Sequence, residues 1–97
     1  MDDLIFKVID IDVIYDDYFT EFINEPIDID DTFDFSSLKS FINSYEESSN
    51  GYFDYNCDDG FGEVSITLYS QDDDEICTIK FQVSIYAEAV EKVLEKI

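Results

Sequence analysis

The chain has 97 residues, 25 of them Asp or Glu and five Lys, with no Arg or His, and a formal net charge of −20. Its apolar share, 45%, excludes a disordered acidic tail, which would lack the side chains to fill a core. The sign of the charge excludes nucleic acid and anionic membrane as direct partners.

The length sets a single domain over residues 1–97. In chain order, Leu4-Ile5-Phe6-Lys7-Val8-Ile9 is a β-branched run that opens a strand. The alternation Ile9-Asp10-Ile11-Asp12-Val13 either continues it or yields to a helix. Ile14, Tyr15, Tyr18, Phe19, Phe22 and Ile23 recur at helical spacing, so a helix is predicted over about residues 13–24, stopped by Pro26. Residues 27–35 read as an acidic loop. Ser36 or Ser37 then caps a second helix, whose apolar stripe is Leu38, Phe41, Ile42 and Tyr45.

Three alternating segments follow. Phe53, Tyr55 and Cys57 form the first, Val64, Ile66 and Leu68 the second, and Cys77, Ile79, Phe81 and Val83 the third. Asp58-Asp59-Gly60 and Gln71-Asp72-Asp73-Asp74 are the turns between them. The result is an antiparallel meander with one wet face. A final helix, capped by Ser84, carries Ile85, Tyr86, Ala89, Val90, Val93, Leu94 and Ile97 on one side. Glu88 and Lys92 pair at i, i+4 on it, and Lys92 and Lys96 suit its negative end. The predicted fold class is α+β: a mostly antiparallel sheet of about four strands, in the order β-α-α-β-β-β-α, with helices packed on one face.

Met1-Asp2-Asp3 is unlike a signal peptide, and the longest wholly apolar run is three residues. A cytoplasmic protein is expected. Cys57 and Cys77 fall on neighbouring predicted strands, where a bridge is geometrically possible, but two buried thiols are the expected state.

Without His, Arg or Trp, the usual general base and oxyanion clamp are missing, so no enzyme is expected and no cofactor. Asp54-x-Asn56-x-Asp58-Asp59-Gly60 looks like the start of a Ca²⁺ loop, but Gly60 comes one position late and Ser65 stands where the pattern requires Glu. A hairpin turn is the preferred reading. Two Cys and no His do not close a zinc site.

The acids gather in four clusters. They are Asp10/Asp12/Asp16/Asp17, Asp28/Asp30/Asp31/Asp34, Asp54/Asp58/Asp59 and Asp72/Asp73/Asp74/Glu75. Solubility needs a net charge of only about 2–8 in magnitude. Aromatic residues interleave with the acids at Tyr15-Asp16-Asp17-Tyr18, Phe33-Asp34-Phe35 and Tyr52-Phe53-Asp54-Tyr55; such residues are more often core than contact, but tyrosine can anchor an interface. The candidate partner-binding residues are therefore Asp16, Asp17, Tyr18, Asp28, Asp30, Asp31, Asp34, Tyr52, Asp54, Tyr55, Asp58, Asp59, Asp72, Asp73 and Asp74. The partner they suit is a basic protein.

In size, charge, missing Arg and His and α+β pattern, the whole chain resembles two groups of small acidic inhibitors. One is the bacterial immunity proteins that neutralise toxins of contact-dependent or secretion-delivered systems. The other is the phage DNA-mimic inhibitors, including anti-CRISPR and anti-restriction proteins. The resemblance implies an inhibitor of a nuclease toxin or of a nucleic-acid-binding effector. Neither group shares one fold, so it assigns no residue a role. A secretion chaperone is the alternative from another class.

Overall fold

Side-chain alternation accounts for most of the architecture. The structure, a computed structural model, describes residues 4–15, 17, 27–57 and 61–97. Its elements are β1 (Ile5–Val13), β2 (Thr32–Asp34), α1 (Phe35–Ser49), β3 (Tyr52–Cys57), β4 (Phe61–Tyr69), β5 (Glu75–Tyr86) and α2 (Ala87–Leu94). The five strands form one sheet in the order β2-β1-β5-β4-β3, with every neighbouring pair antiparallel.

The two described helices, α1 and α2, cover one face. There Phe6 and Val8 of β1, Val64, Ile66 and Leu68 of β4, and Cys77, Ile79, Phe81 and Val83 of β5 meet Leu38, Ile42 and Tyr45 of α1 and Val90, Val93 and Leu94 of α2. Phe81 is the hub on β5, edge-on to Phe6 at 6.0 Å and to Phe33 at 6.1 Å. Burying this much apolar surface is what opposes the mutual repulsion of the acids.

The sequence expectation of an α+β fold agrees with this, and five corrections refine it. The sheet has five strands rather than about four. The extra one, β2, lies inside the expected acidic loop, where Phe33 pairs with Phe6 between Thr32 and Asp34. One inward side chain is too short a pattern to register as a strand. The first strand runs through Val13, which pairs with Cys77, so Val13 does not open a helix. Ile14 and Tyr15 then donate their backbone N–H groups to the Ile76 carbonyl at 2.8 and 3.3 Å. Of the rest of the expected helix, Asp17 is helical and residues 16 and 18–24 lie outside the described residues.

The third correction is the cap of α1. Asp34, not Ser36 or Ser37, holds that place, its Oδ1 accepting from the Ser37 N–H at 2.7 Å. Asn50, in the left-handed region at φ 56°, closes the other end by donating to the Glu46 carbonyl. Fourth, β5 runs on to Tyr86, so Ser84 lies in a strand and α2 begins at Ala87.

The fifth concerns the cysteines. Cys57 on β3 and Cys77 on β5 are separated by β4. Cys57 shares a row with Val64 and Phe81, and Cys77 lies four residues further along β5. That separation is about 10 Å across the sheet and about 13 Å along it. It is beyond the reach of a disulfide.

A bulge resolves the ambiguous middle of the first strand. Leu4, Phe6 and Val8 point to the core, and then the apolar phase changes to Ile11 and Val13. The register shifts between Val8 and Asp10. One inserted residue returns Ile11 and Val13 to the core and turns Asp10 and Asp12 to the other face.

Candidate partner-binding surface

With α1 and α2 on one side, no element among the described residues covers the opposite face of the sheet. Two rows can be followed across it from the register: Asp10, Lys80, Ser65, Asn56 and Asp12, Thr78, Thr67, Asp54. The central strands supply a half-buried floor of Ser65, Thr67, Thr78 and Lys80. The flanking strands supply exposed Asp10 and Asp12 on one side and exposed Asp54 and Asn56 on the other. Three strand spacings put the two flanks about 14 Å apart. On the floor, the Thr67 and Thr78 hydroxyls lie 3.1 Å apart. Thr78 donates its proton to Glu75 Oε1 at 3.1 Å, so Thr67 is the donor within the threonine pair.

One corner of this face is organised in more detail. Tyr52 of β3 and Tyr69 of β4 are cross-strand partners, and their rings stack at 4.9 Å with planes 9° apart. The Tyr52 hydroxyl donates to Asp73 Oδ1 at 2.8 Å. That hydrogen bond holds the hydroxyl above the usual tyrosine range, and the nearby charges of Asp73 and Asp54 add to the effect.

The acidic turn that presents Asp73 is built on buried Ser70. Its Oγ accepts from the Asp72 and Asp74 N–H groups, each at 3.2 Å. Its N–H donates to the Asp74 carbonyl at 2.8 Å, and its carbonyl accepts from the Asp73 N–H at 3.1 Å. Asp73 takes the left-handed conformation, φ 68°, that Asp and Asn tolerate better than most residues.

The corner is also braced from behind. The Tyr45 hydroxyl of α1 donates to the Tyr69 carbonyl at 3.0 Å. Ser49 Oγ donates to the Tyr45 carbonyl at 2.7 Å and accepts from the Gly51 N–H at 3.0 Å. A Cβ on Gly51 would overlap the Tyr69 carbonyl oxygen. The turn from α1 into β3 therefore packs backbone against backbone directly beneath the tyrosine pair.

The free edge of β3 is guarded. Asp54 Oδ1 accepts from the Tyr55 N–H at 2.8 Å. An N–H taken by a side chain is not in the β4 ladder, so Tyr55 presents its donor to the outer edge and Asp54 occupies it. A carboxylate at that place opposes the addition of another strand.

The structure thus brings Tyr52, Asp54, Asp72, Asp73 and Asp74 to one corner. Tyr55 points the other way, to the helix-covered face, where burial raises its hydroxyl and Glu95, just past α2, and Glu91 within it add to the shift. Asp28, Asp30 and Asp31 stand at the opposite edge, beside β1. There Asp31 Oδ2 accepts from the Asp28 N–H at 2.9 Å and Asp30 Oδ1 lies 3.5 Å from Lys7 Nζ. Asp34 is engaged with its cap. Asp17 is exposed beyond β1. Asp16, Tyr18, Asp58 and Asp59 lie outside the described residues.

Sequence reasoning missed Tyr69, Ser70 and the threonine pair. Leu68 pointing inward implies Tyr69 outward, but the stack depends on the register of β3 against β4, which no local pattern carries.

Of the Ca²⁺-like motif, Asp54 and Asn56 lie in an extended strand, Asn56 opposite Ser65. Among the described residues no group of three or more Asp, Glu, Cys or His is arranged to hold a metal ion. Burial, with Asp12 and Glu75 adding, pushes the Cys77 thiol up to about 12, which leaves it unreactive. No described helix is long and apolar enough to cross a membrane.

No family model, curated protein or solved structure matches the chain. The functional reading therefore rests on chemistry and geometry.

Proposed function

We propose that the protein is an acidic inhibitor of the immunity type, which binds and neutralises a basic, nuclease-type toxin through electrostatically complementary contact. One observation carries this reading: the charge is held on a folded scaffold and is not neutralised internally. Among the described residues the ion pair within 4.0 Å is Lys7–Asp30, at the surface, against a net charge of −20. Carboxylates left in water on a rigid frame repel one another at no benefit to the fold. Against a positive surface the same field accelerates encounter and selects the partner. The role is binding rather than catalysis, in the cytoplasm.

The test is co-expression with the product of the adjacent gene. An immunity role predicts relief of that product's toxicity and a stable 1:1 complex with a basic nuclease at about 150 mM salt. A complex with a large DNA-binding effector, weakening steeply as salt rises, would instead indicate nucleic-acid mimicry. A stable homodimer holding an extended segment would indicate a secretion chaperone. No complex and no relief of toxicity would end the inhibitor reading.

A further inference from the structure

We propose that the sheet face opposite α1 and α2 is the docking surface for the basic partner, and that the stacked Tyr52–Tyr69 corner is its anchor for an arginine side chain. The proposal rests on the inhibitor reading for the partner's identity and adds which face binds it and through which side chain.

Three candidate surfaces stand out. The free edge of β3 is closed by Asp54 on the Tyr55 N–H. The Asp28–Asp31 loop has carboxylates engaged with Lys7 and with its own turn, and among the described residues no aromatic side chain of that loop is exposed. The tyrosine corner offers both an accessible π-face and carboxylates. Tyr52 is 40% exposed, while Tyr69 backs it in parallel at 4.9 Å. Asp73 is fixed at the hydroxyl of Tyr52, and Asp54 follows two residues along on the same face.

Charge complementarity selects the occupant. An acidic aromatic shelf takes a cation, and the planarity of the shelf favours guanidinium over ammonium. Guanidinium stacks flat on an aromatic ring while its N–H groups reach carboxylates at the rim, whereas ammonium is a hydrated point charge. Lys80 directs the cation to this corner. It lies on the floor between Asp10 and Ser65 and repels positive charge there, while Glu75, five residues along β5, is paired with Tyr69. Between the flanks the floor is low, built of the short hydroxyl side chains of Thr67 and Thr78.

The experiment uses the full chain and two blocked peptides, alternating Gly with Arg and Gly with Lys at equal length. Backbone and tyrosine-ring NMR shifts report where each peptide binds. The Arg peptide should shift Tyr52, Tyr69 and Thr67 saturably and bind several-fold more tightly than the Lys peptide. Tyr52→Ala should weaken Arg-peptide binding about tenfold, and Asp73→Asn, which retains the stack, should weaken it several-fold. Asp28→Asn with Asp31→Asn should leave it nearly unchanged, and thermal melts confirm that each variant is folded. Equal affinity for the two peptides, or shifts spread evenly over the acidic loops, would overturn the proposal. The co-expression assay separates the two readings. If a toxin partner binds Tyr52→Ala as well as wild type, the docking face is wrong and the inhibitor reading stands. If no partner exists but the peptide discrimination holds, the reverse is true.

Discussion

Two small residues determine how firmly the tyrosine corner is held. Gly51 is required for space rather than for an unusual dihedral angle, because its Cα sits where any Cβ would strike the Tyr69 carbonyl oxygen. Gly51→Ala must push β3 away from β4 at that point, so we expect a loss of about 2–4 kcal/mol in denaturant unfolding. A change below 0.5 kcal/mol would show that the backbone there yields easily. Ser70 acts through hydrogen bonds. Removing its Oγ leaves the Asp72 and Asp74 N–H groups without their acceptor. Ser70→Ala should therefore cost about 1–2 kcal/mol, and it should weaken Arg-peptide binding without touching the peptide, by loosening Asp73. Gly51 and Ser70 were visible in the sequence only as a glycine and a serine near turns. Their roles depend on what lies across from them.

At the scale of the element, α1 carries two carboxyls with opposite pH behaviour. The Ser37 N–H holds the Asp34 carboxyl below its usual range. A carboxyl lowered in the folded state stabilises above its unfolded value, about 4, and that contribution fades as pH falls through the folded one. Burial raises Glu46 near the other end, where the negative helix terminus also disfavours a carboxylate. Its contribution is present below the unfolded value and is lost as pH rises through the folded one. Thermal melts of two variants test both signs. Asp34→Ala should lower Tm by a few degrees at neutral pH and by less near pH ~3, while Glu46→Gln should raise Tm at neutral pH and have little effect near pH ~3. A deficit in Asp34→Ala that stays constant with pH would rule out the capping carboxylate as its source.

The elements were largely legible, because their apolar faces repeat at fixed periods over many residues: Leu38, Ile42 and Tyr45 for α1, Val64, Ile66 and Leu68 for β4. What escaped was short or out of phase. β2 shows one inward residue, Phe33, and the bulge in β1 reverses the pattern between Val8 and Ile11. Of the site, the acidic turns and Tyr52 could be read from composition. The pairing of Tyr52 with Tyr69, the turning of Tyr55 to the other face and the separation of Cys57 from Cys77 all come from strand order, which is a property of the whole chain.

For the whole molecule, the dominant force beyond the core is self-repulsion. A charge of −20 on a body with a radius of gyration of 12.7 Å places many like charges within about one Debye length, ~8 Å at physiological salt. Added salt should therefore stabilise the fold. Raising sodium chloride from about 10 mM to about 500 mM should raise Tm by several degrees, most steeply at the low end where the screening length changes most. A flat or falling Tm would mean that the carboxylates are already compensated, and would remove the reason to expect a cationic partner.

Strand order also sets the sequence in which the fold can be assembled. β1 lies between β2 and β5, and Lys7 pairs with Gln82. On a growing chain, β3, β4 and then β5 can zip together through short hairpins, but the first strand made must wait for the last before it gains its central neighbour. Closing that long loop is entropically expensive and slow. Until it closes, Phe6 and Val8 lack the Phe81 surface they are shaped for. During that wait the dense negative charge keeps nascent chains from meeting one another through their unfinished sheets.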